Sequence, residues 1–295
     1  METKTLEYFR VVYQEQNMHR AADKLYISQQ GLSRTIQTLE KELECKLFER
    51  DSLGMHPTTA GDRLYESVRK IQSELDGLHR DIEELTTGKK ILHVPAAYGV
   101  LHLLYPAVRQ FSEAQPKIEV RWAEHIDQEC EQLLSQQQVE LILTVLGEDN
   151  PAFDIHPLMT RRIMLLVFEG HPLYEKEAVS VQDLKNEKLL TVGHGYQMFA
   201  TLQKACLKAG FYPYIEGEIS EINLCHKLVH LGEGLGLTVD FIADMVDQKN
   251  VRALHFVEDC FTWRVGIVRN KKTPLSPAAK AFWKHIINWP CLDNK

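Results

Sequence analysis

The chain reads as an α/β multidomain protein, and three observations predict it. Residues 17–42, NMHRAADKLYISQQGLSRTIQTLEKE, carry two short helical apolar stripes separated by a turn. Residues 64–85 repeat large aliphatic side chains every three or four positions, the spacing of a helix that pairs with another helix. From residue 91 onward, β-rich runs alternate with helical ones, the pattern of a parallel sheet with crossover helices. Composition agrees. At 295 residues the chain exceeds one ordinary core, and its 44% hydrophobic and 25% charged residues describe a normal globular protein.

Residues 3–16, TKTLEYFRVVYQEQ, form an amphipathic helix with Leu6, Phe9 and Val12 or Tyr13 inward. A second helix over residues 19–25 turns Ala21, Ala22 and Leu25 to one face. Asn17 suits its N-cap, because a side-chain oxygen there accepts an orphan amide proton. Tyr26 and Ile27 make the turn, and Ser28 caps a third helix. That helix points Leu32, Ile36, Leu39 and Leu43 inward and Gln29, Gln30, Ser33, Arg34 and Gln37 outward. Outward side chains of these types hydrogen-bond base edges or phosphates, and a helix N-terminus favours a phosphate. The two small alanines allow the close approach of a helix-turn-helix. Periodicity alone leaves an ordinary packed helix pair open.

Residues 50–59 are polar and turn-rich, as a wing would be. Arg50, Thr58 and Thr59 are candidate phosphate contacts, which set register without reading sequence; Thr58 equally suits the N-cap of the next helix. That helix, over residues 60–87, would be roughly 40 Å long at ~1.5 Å per residue. Its Leu64, Val68, Ile71, Leu75, Leu78, Ile82 and Leu85 make a heptad seam, expected to dimerise rather than pack on its own domain. Gly88 suits a C-cap and the lysines after it a hinge.

Strands are then expected at 91–97, 118–125, 139–146, 162–168, 189–194, 214–220 and 261–269. Helices are expected at 103–115, 130–137, 198–210 and 221–234, and the chain closes with a Ser-Pro-capped helix at 276–289. The glycines at 232–236 follow a helix, not a strand, so they read as a turn and not as a phosphate cradle.

Charge and cysteines bound the function. Net charge is −7, and nine bases face ten acids in residues 1–64, so any nucleic-acid contact depends on local placement. Between His19 and Gln37 three bases outnumber Asp23. The six cysteines, Cys45, Cys130, Cys206, Cys225, Cys260 and Cys291, form no C-x-x-C pair and read as reduced thiols. A redox-sensing pair would need two of them close in space. No apolar run spans a bilayer and the N-terminus lacks an apolar signal region, so the expected location is the cytoplasm, with no membrane partner. Nucleophile elbow, zinc-protease, phosphate-loop and dinucleotide motifs are missing, which argues against an enzyme. No cofactor is expected, and no metal.

The segment AADKLYISQQGLSRTIQTLEKELECKLFER resembles the N-terminal domain of LysR-type transcriptional regulators. Ala21, Ala22, Leu25, Ser28, Gln29, Ser33, Ile36, Leu39, Glu40, Leu43, Leu47, Phe48, Arg50, Thr58 and Gly61 match the family pattern. Gln30 stands where proline is usual, Gly31 where alanine is usual and Cys45 where glycine is usual. These departures bear on base preference and remove no donor from the reading face. The late GEGLGLTV, the GHPL at 170–173 and the terminal PLSPAAKAFWKHI resemble the family's effector domain. The resemblance therefore covers essentially the whole chain.

It implies an N-terminal winged helix-turn-helix DNA-binding domain at 1–60, a linker and dimerisation helix at 61–89, and a two-lobed, periplasmic-binding-protein-like effector domain at 90–295. Lobe I would comprise about 91–160 and 268–295, and lobe II about 161–267, joined by two crossover strands. The implied partners are double-stranded DNA with an interrupted palindrome, a small-molecule effector, a second copy of the chain (a dimer, commonly a tetramer) and RNA polymerase. The implied DNA-contacting set is Ser28, Gln29, Gln30, Ser33, Arg34, Gln37, Arg50 and Thr58.

In open α/β sheets ligands collect at the carboxyl ends of strands. That rule selects Ala97, Tyr98, Gly99, Glu124 to Ile126, Thr144, Gly193, His194, Tyr196 and Glu218 to Glu221, with Ser220 among them, and these coincide with the family's usual effector contacts. Hydroxyl residues commonly stand where this chain has Ala97 and Gly99, so an anion would rely on backbone amides. Tyr98, His102, His125, His194 and Tyr196 instead suit an aromatic or weakly polar effector. Any one of these histidines could equally be a solvated loop residue. A ligand-independent DNA-bending regulator with a degenerate cleft is the alternative reading.

Overall fold

The computed structural model describes residues 2–51, 54–244 and 250–290. The side chains at 50, 51, 54, 73, 76 and 80 lie outside the described residues, as does Cys291. The chain divides into two compact units, Met1–Thr87 and Gly88–Lys295.

The first unit contains α1 (Thr3–Glu15), α2 (Met18–Lys24), α3 (Gln29–Glu42), β1 (Phe48–Asp51), β2 (Gly54–Pro57) and α4 (Thr59–Thr87). The caps fall where their side chains predict. Asn17 accepts from the His19 and Arg20 amides, and Ser28 accepts from Gly31 at 3.1 Å. Leu6, Phe9, Val12, Ala22, Leu32 and Leu39 close the three-helix core. Leu43 is the exception on the inner stripe: it is the C-cap of α3 and remains exposed, because the helix ends before it can turn inward. β1 and β2 pair antiparallel as the wing, from Phe48↔Pro57 to Asp51↔Gly54. Thr58 caps α4, accepting from Gly61 at 3.1 Å and donating to the Lys46 carbonyl at 2.7 Å. Gly61 is required there, since a Cβ would lie 2.4 Å from the Leu47 carbonyl oxygen.

The second unit is a mixed α/β structure. Its first half has β3 (Lys90–Ala97), α5 (Val100–Ala114), β4 (Ile118–His125), α6 (Asp127–Ser135) and β5 (Leu141–Val145). The second half has β7 (Ala178–Val179), β8 (Lys188–Thr191), α7 (Gln197–Lys208), β9 (Tyr214–Glu218), α8 (Ile222–His230), β10 (Leu235–Val239), α9 (Asp240–Ala243) and β11 (Val251–Phe256). β6 (Phe153–Phe168) leads into that half, and β12 (Thr262–Asn270) and α10 (Pro277–Ile287) return from it. Strand order is β4-β3-β5-β12-β6-β10-β8-β9.

Parallel pairing holds within each half, and the two middle strands run antiparallel to their neighbours. β6 makes the crossing: Phe153 to Arg162 pair with β12, and Ile163 onward pairs with β10 and β11. The sequence shows only the second part of β6 as a strand. Its first part, FDIHPLMTR, is half exposed and mixes polar with apolar residues, so it lacks the apolar run that marks a buried strand. β11 is missed for the same reason, and α5 and α6 begin three residues earlier than expected, at Val100 and Asp127. β12 pairs along its whole length with β5 and β6.

Candidate functional site

Two surfaces carry the expected site residues, one in each unit. In the first, α3 presents Gln29, Gln30, Arg34 and Gln37 to solvent, with Ser33 half-buried beside them. The Ser28 hydroxyl is committed to its cap. The local excess of base is smaller than the sequence suggests. Arg20 donates to the Glu15 carbonyl at 2.8 Å, and Lys24 pairs with the Glu15 carboxylate at 3.0 Å. Arg34 is exposed and has no ion-pair partner among the described residues, so it is the cation of the face most ready to meet a phosphate or a guanine edge. On the wing, the strand position of Arg50 is described and its side chain is not. Thr58 has spent both its hydroxyl proton and its amide, the latter on the Leu47 carbonyl. That leaves its capping role.

The heptad seam splits in two. Val68 is fully buried and Leu64 partly so, both against the core of the first unit. Beyond them Ile71, Leu78, Ile82 and Leu85 are 40%, 54%, 53% and 85% exposed, and Leu75 is half-buried. A row of uncovered aliphatic side chains along a helix is what a partner helix buries.

The second surface is a cavity of about 440 Å³ in the α/β unit. Its walls come from both halves of the sheet: Tyr98, Gly99 and His102 at the start of α5, Glu124 and Asp127 around the end of β4, and Tyr196, Ser220 and Glu221 from the second half. Trp263 of β12 forms the floor beside Gly99, where a Cβ would lie 3.7 Å from the indole. Thus Tyr98, Gly99, His102, Glu124, Tyr196, Ile219, Ser220 and Glu221 of the expected set converge.

The others lie elsewhere. Ala97 and Thr144 are buried in the sheet, and the Thr144 hydroxyl has no partner among the described residues. His125 faces Glu129 at 3.4 Å, and His194 is exposed with its ring edge-on to Phe199. Gly193 backs onto the Glu218 carboxylate, which a Cβ would meet at 2.1 Å. Asp127, Cys225, Thr238, Ile242 and Trp263 line the cavity without having been expected. Only Asp127 had a signal, as an acid at a helix start. The rest reach the cavity through the crossing of β6 and β12, which local pattern does not reveal.

The polar groups are tuned. Asp127 is 3% exposed, and burial pushes its carboxyl up to about 7 even though it accepts the Gln197 amide at 2.7 Å. Burial raises Tyr196, partly offset by a hydrogen bond with Ser220. The Asn223 and Leu224 amides hold Glu221 below the usual carboxylate range. Burial lifts the Cys130 and Cys225 thiols to about 12 and Cys206 to about 11. Such thiols are the opposite of the exposed thiolates that redox sensing needs.

A winged helix-turn-helix ahead of an α/β unit with a cavity at its strand ends defines the class: a DNA-binding regulator carrying its own effector-binding domain. Residues 3–62 match the bacterial regulatory helix-turn-helix protein, lysR family, and residues 88–290 match the LysR substrate binding domain. The HTH-type transcriptional regulator BenM of Acinetobacter baylyi is 29% identical over 242 residues, 80% of this chain and 80% of its own. YwbI of Bacillus subtilis, an uncharacterized HTH-type transcriptional regulator, is 26% identical over 303 residues, 100% of each chain. The crystal structure of full-length BenM aligns with a TM-score of 0.57 at 26% identity, covering 97% of this chain and 95% of that one. The chain belongs to the LysR family of DNA-binding transcriptional regulators, which are not enzymes. No helix among the described residues is long and apolar enough to cross a membrane.

Proposed function

We propose that this regulator responds to a small molecule held between two lobes of its effector domain. The observation that carries the reading is the cavity of about 440 Å³, walled from both halves of the sheet and open at strand ends. That volume lies within the range of roughly 300–1,000 Å³ that small-molecule sites occupy, which favours this reading over a degenerate cleft. Lobe I then comprises about 90–160 with 262–290, and lobe II about 163–261, joined by β6 and β12. Two bonds span the lobes beside the cavity: the Gln128 amide donates to the Gly195 carbonyl, and the Gln197 amide to Asp127. A ligand that binds one lobe arrangement better shifts the population toward it.

On DNA, the exposed part of the α4 seam pairs two copies, and two α3 helices enter successive major grooves. Gln29, Gln30, Ser33, Arg34 and Gln37 make the contacts, with Arg50 of the wing on the backbone. Two-fold symmetry makes the operator an interrupted palindrome. Association of effector domains gives a tetramer, and lobe movement changes the angle between bound dimers and their contact with RNA polymerase.

The test is a thermal-shift screen of the full-length protein against aromatic acids, phenols, amines, amino acids and aliphatic acids, since a ligand of the folded state raises the melting point. Ser220→Trp, which fills the cavity from its rim, should abolish any shift found. A shift that survives Ser220→Trp places the site elsewhere, and silence across the panel returns the ligand-independent DNA-bending reading.

A further inference from the structure

We propose that the cavity takes an organic cation, a primary ammonium or guanidinium carried on an apolar or aromatic body. The inference rests on reading the cavity as the effector site.

Helix N-termini are the usual anchor for an anionic ligand, because their amide protons and the helix dipole point at it. α5, α7 and α8 all begin at the cavity. Each already holds a carboxylate of this chain. Glu221 accepts from Asn223 and Leu224, both at 2.8 Å, Asp127 accepts from Gln197 at 2.7 Å, and Glu124 accepts from Gly99 at 3.3 Å. All three acids line the cavity, and among the described residues neither lysine nor arginine does. Arg161 of β6 is engaged: its Nε donates to Asp240 at 2.9 Å and its guanidinium lies over Phe241. Ala97 and Gly99 supply no hydroxyl in compensation.

An entering carboxylate would therefore meet the Glu124 and Glu221 carboxylates and amides already in use. An entering cation gains the carboxylate lone pairs that the helix amides leave unfilled, which give charge-assisted hydrogen bonds. Tyr98, Tyr196 and Trp263 add aromatic faces that attract a cation. Val192, Met198, Ile219 and Leu237 offer the apolar wall that an aliphatic or aromatic body fills. The same helix starts that would hold an acid have become the acid half of the pairing.

The experiment is calorimetric titration of the full-length protein with 2-phenylethylamine, tryptamine and agmatine. Benzoate and phenylacetate serve as acid counterparts, and 2-phenylethanol as the neutral one. The expected result is binding by at least one amine or guanidine and none by the acids, with Glu124→Gln weakening that binding by about tenfold or more, the scale of one charge-assisted hydrogen bond. Glu221→Gln keeps an oxygen to cap α8 and should weaken it similarly at an unchanged ligand-free melting point. If that variant unfolds, Glu124→Gln alone decides. Binding of benzoate, phenylacetate or the alcohol at equal or higher affinity, lost in Ser220→Trp, overturns the cation and leaves the effector site standing. No binding by any probe overturns both.

Discussion

Replacing Glu40 by alanine should unfasten the wing from α3, and its cost follows from the geometry. Glu40 is 8% exposed on the last full turn of α3. Its Oε1 accepts the Leu47 amide at 2.9 Å and, at a weak 3.4 Å, the Phe48 amide; Oε2 meets the Lys46 ammonium at 2.9 Å. Lys46 is 74% exposed, so that ion pair contributes little. The Leu47 bond is charged and buried, and its loss strands a buried N–H. Glu40→Ala should therefore destabilise the first unit by about 2–3 kcal/mol, while Glu40→Gln, which keeps an acceptor, should cost about 1 kcal/mol. At ~4–8 °C per kcal/mol for a unit of this size, the alanine variant melts roughly 8–24 °C lower.

Burial pushes the Glu40 carboxyl up, but Lys46 and the two amides together outweigh it and hold it below its ordinary value. A carboxyl lower in the folded state stabilises above its unfolded pKa, and that stability is lost as pH falls through the folded one. The assay is calorimetry of the first unit's transition together with hydrogen exchange at Leu47 and Phe48. If both amides stay as protected in Glu40→Ala as in the parent, the reasoning fails.

Four further outcomes are expected. Arg34→Ala should weaken operator binding about 10- to 100-fold, and an unchanged gel shift would refute its contact role. Leu78→Asp, on the uncovered part of α4, should yield monomers in sedimentation or collapse a tetramer to a lower state; an unaltered profile would sink the seam as an interface. Asp127 titrates near 7 when folded, above its unfolded value, so it favours the fold below about pH 4 and loses that contribution as pH rises through about 7. Melting curves of Asp127→Asn should be flatter than the parent's across that window, and parallel curves would count against it. Gly195→Ala forces φ +94° on an L-residue and brings a Cβ to 2.8 Å of Ile126. It should loosen the 193–197 loop, read as faster exchange at Gln128 and Gln197.

What the sequence determined by itself is local. Asn17 and Ser28 announce the starts of α2 and α3 because capping is a property of one side chain and the next three amides. The stripes of α1 and α3, and the aliphatic runs of β3 and β8, announce their buried faces by period alone. Ala21, Ala22 and the Leu64 to Leu85 spacing carry the architecture of the first unit. Tertiary structure decided the rest. No local pattern says that Glu15 draws back Arg20 and Lys24, that the α4 seam divides at Val68, or that β6 continues through a half-exposed stretch to link two halves of a sheet. Trp263 and Thr238 join Tyr98 at one cavity only because that crossing brings their strand ends together. Whether Glu124, Asp127 and Glu221 are surface acids or occupants of helix N-termini depends on distances between elements far apart in the chain, and pairwise geometry of that kind has no signature in the order of residues.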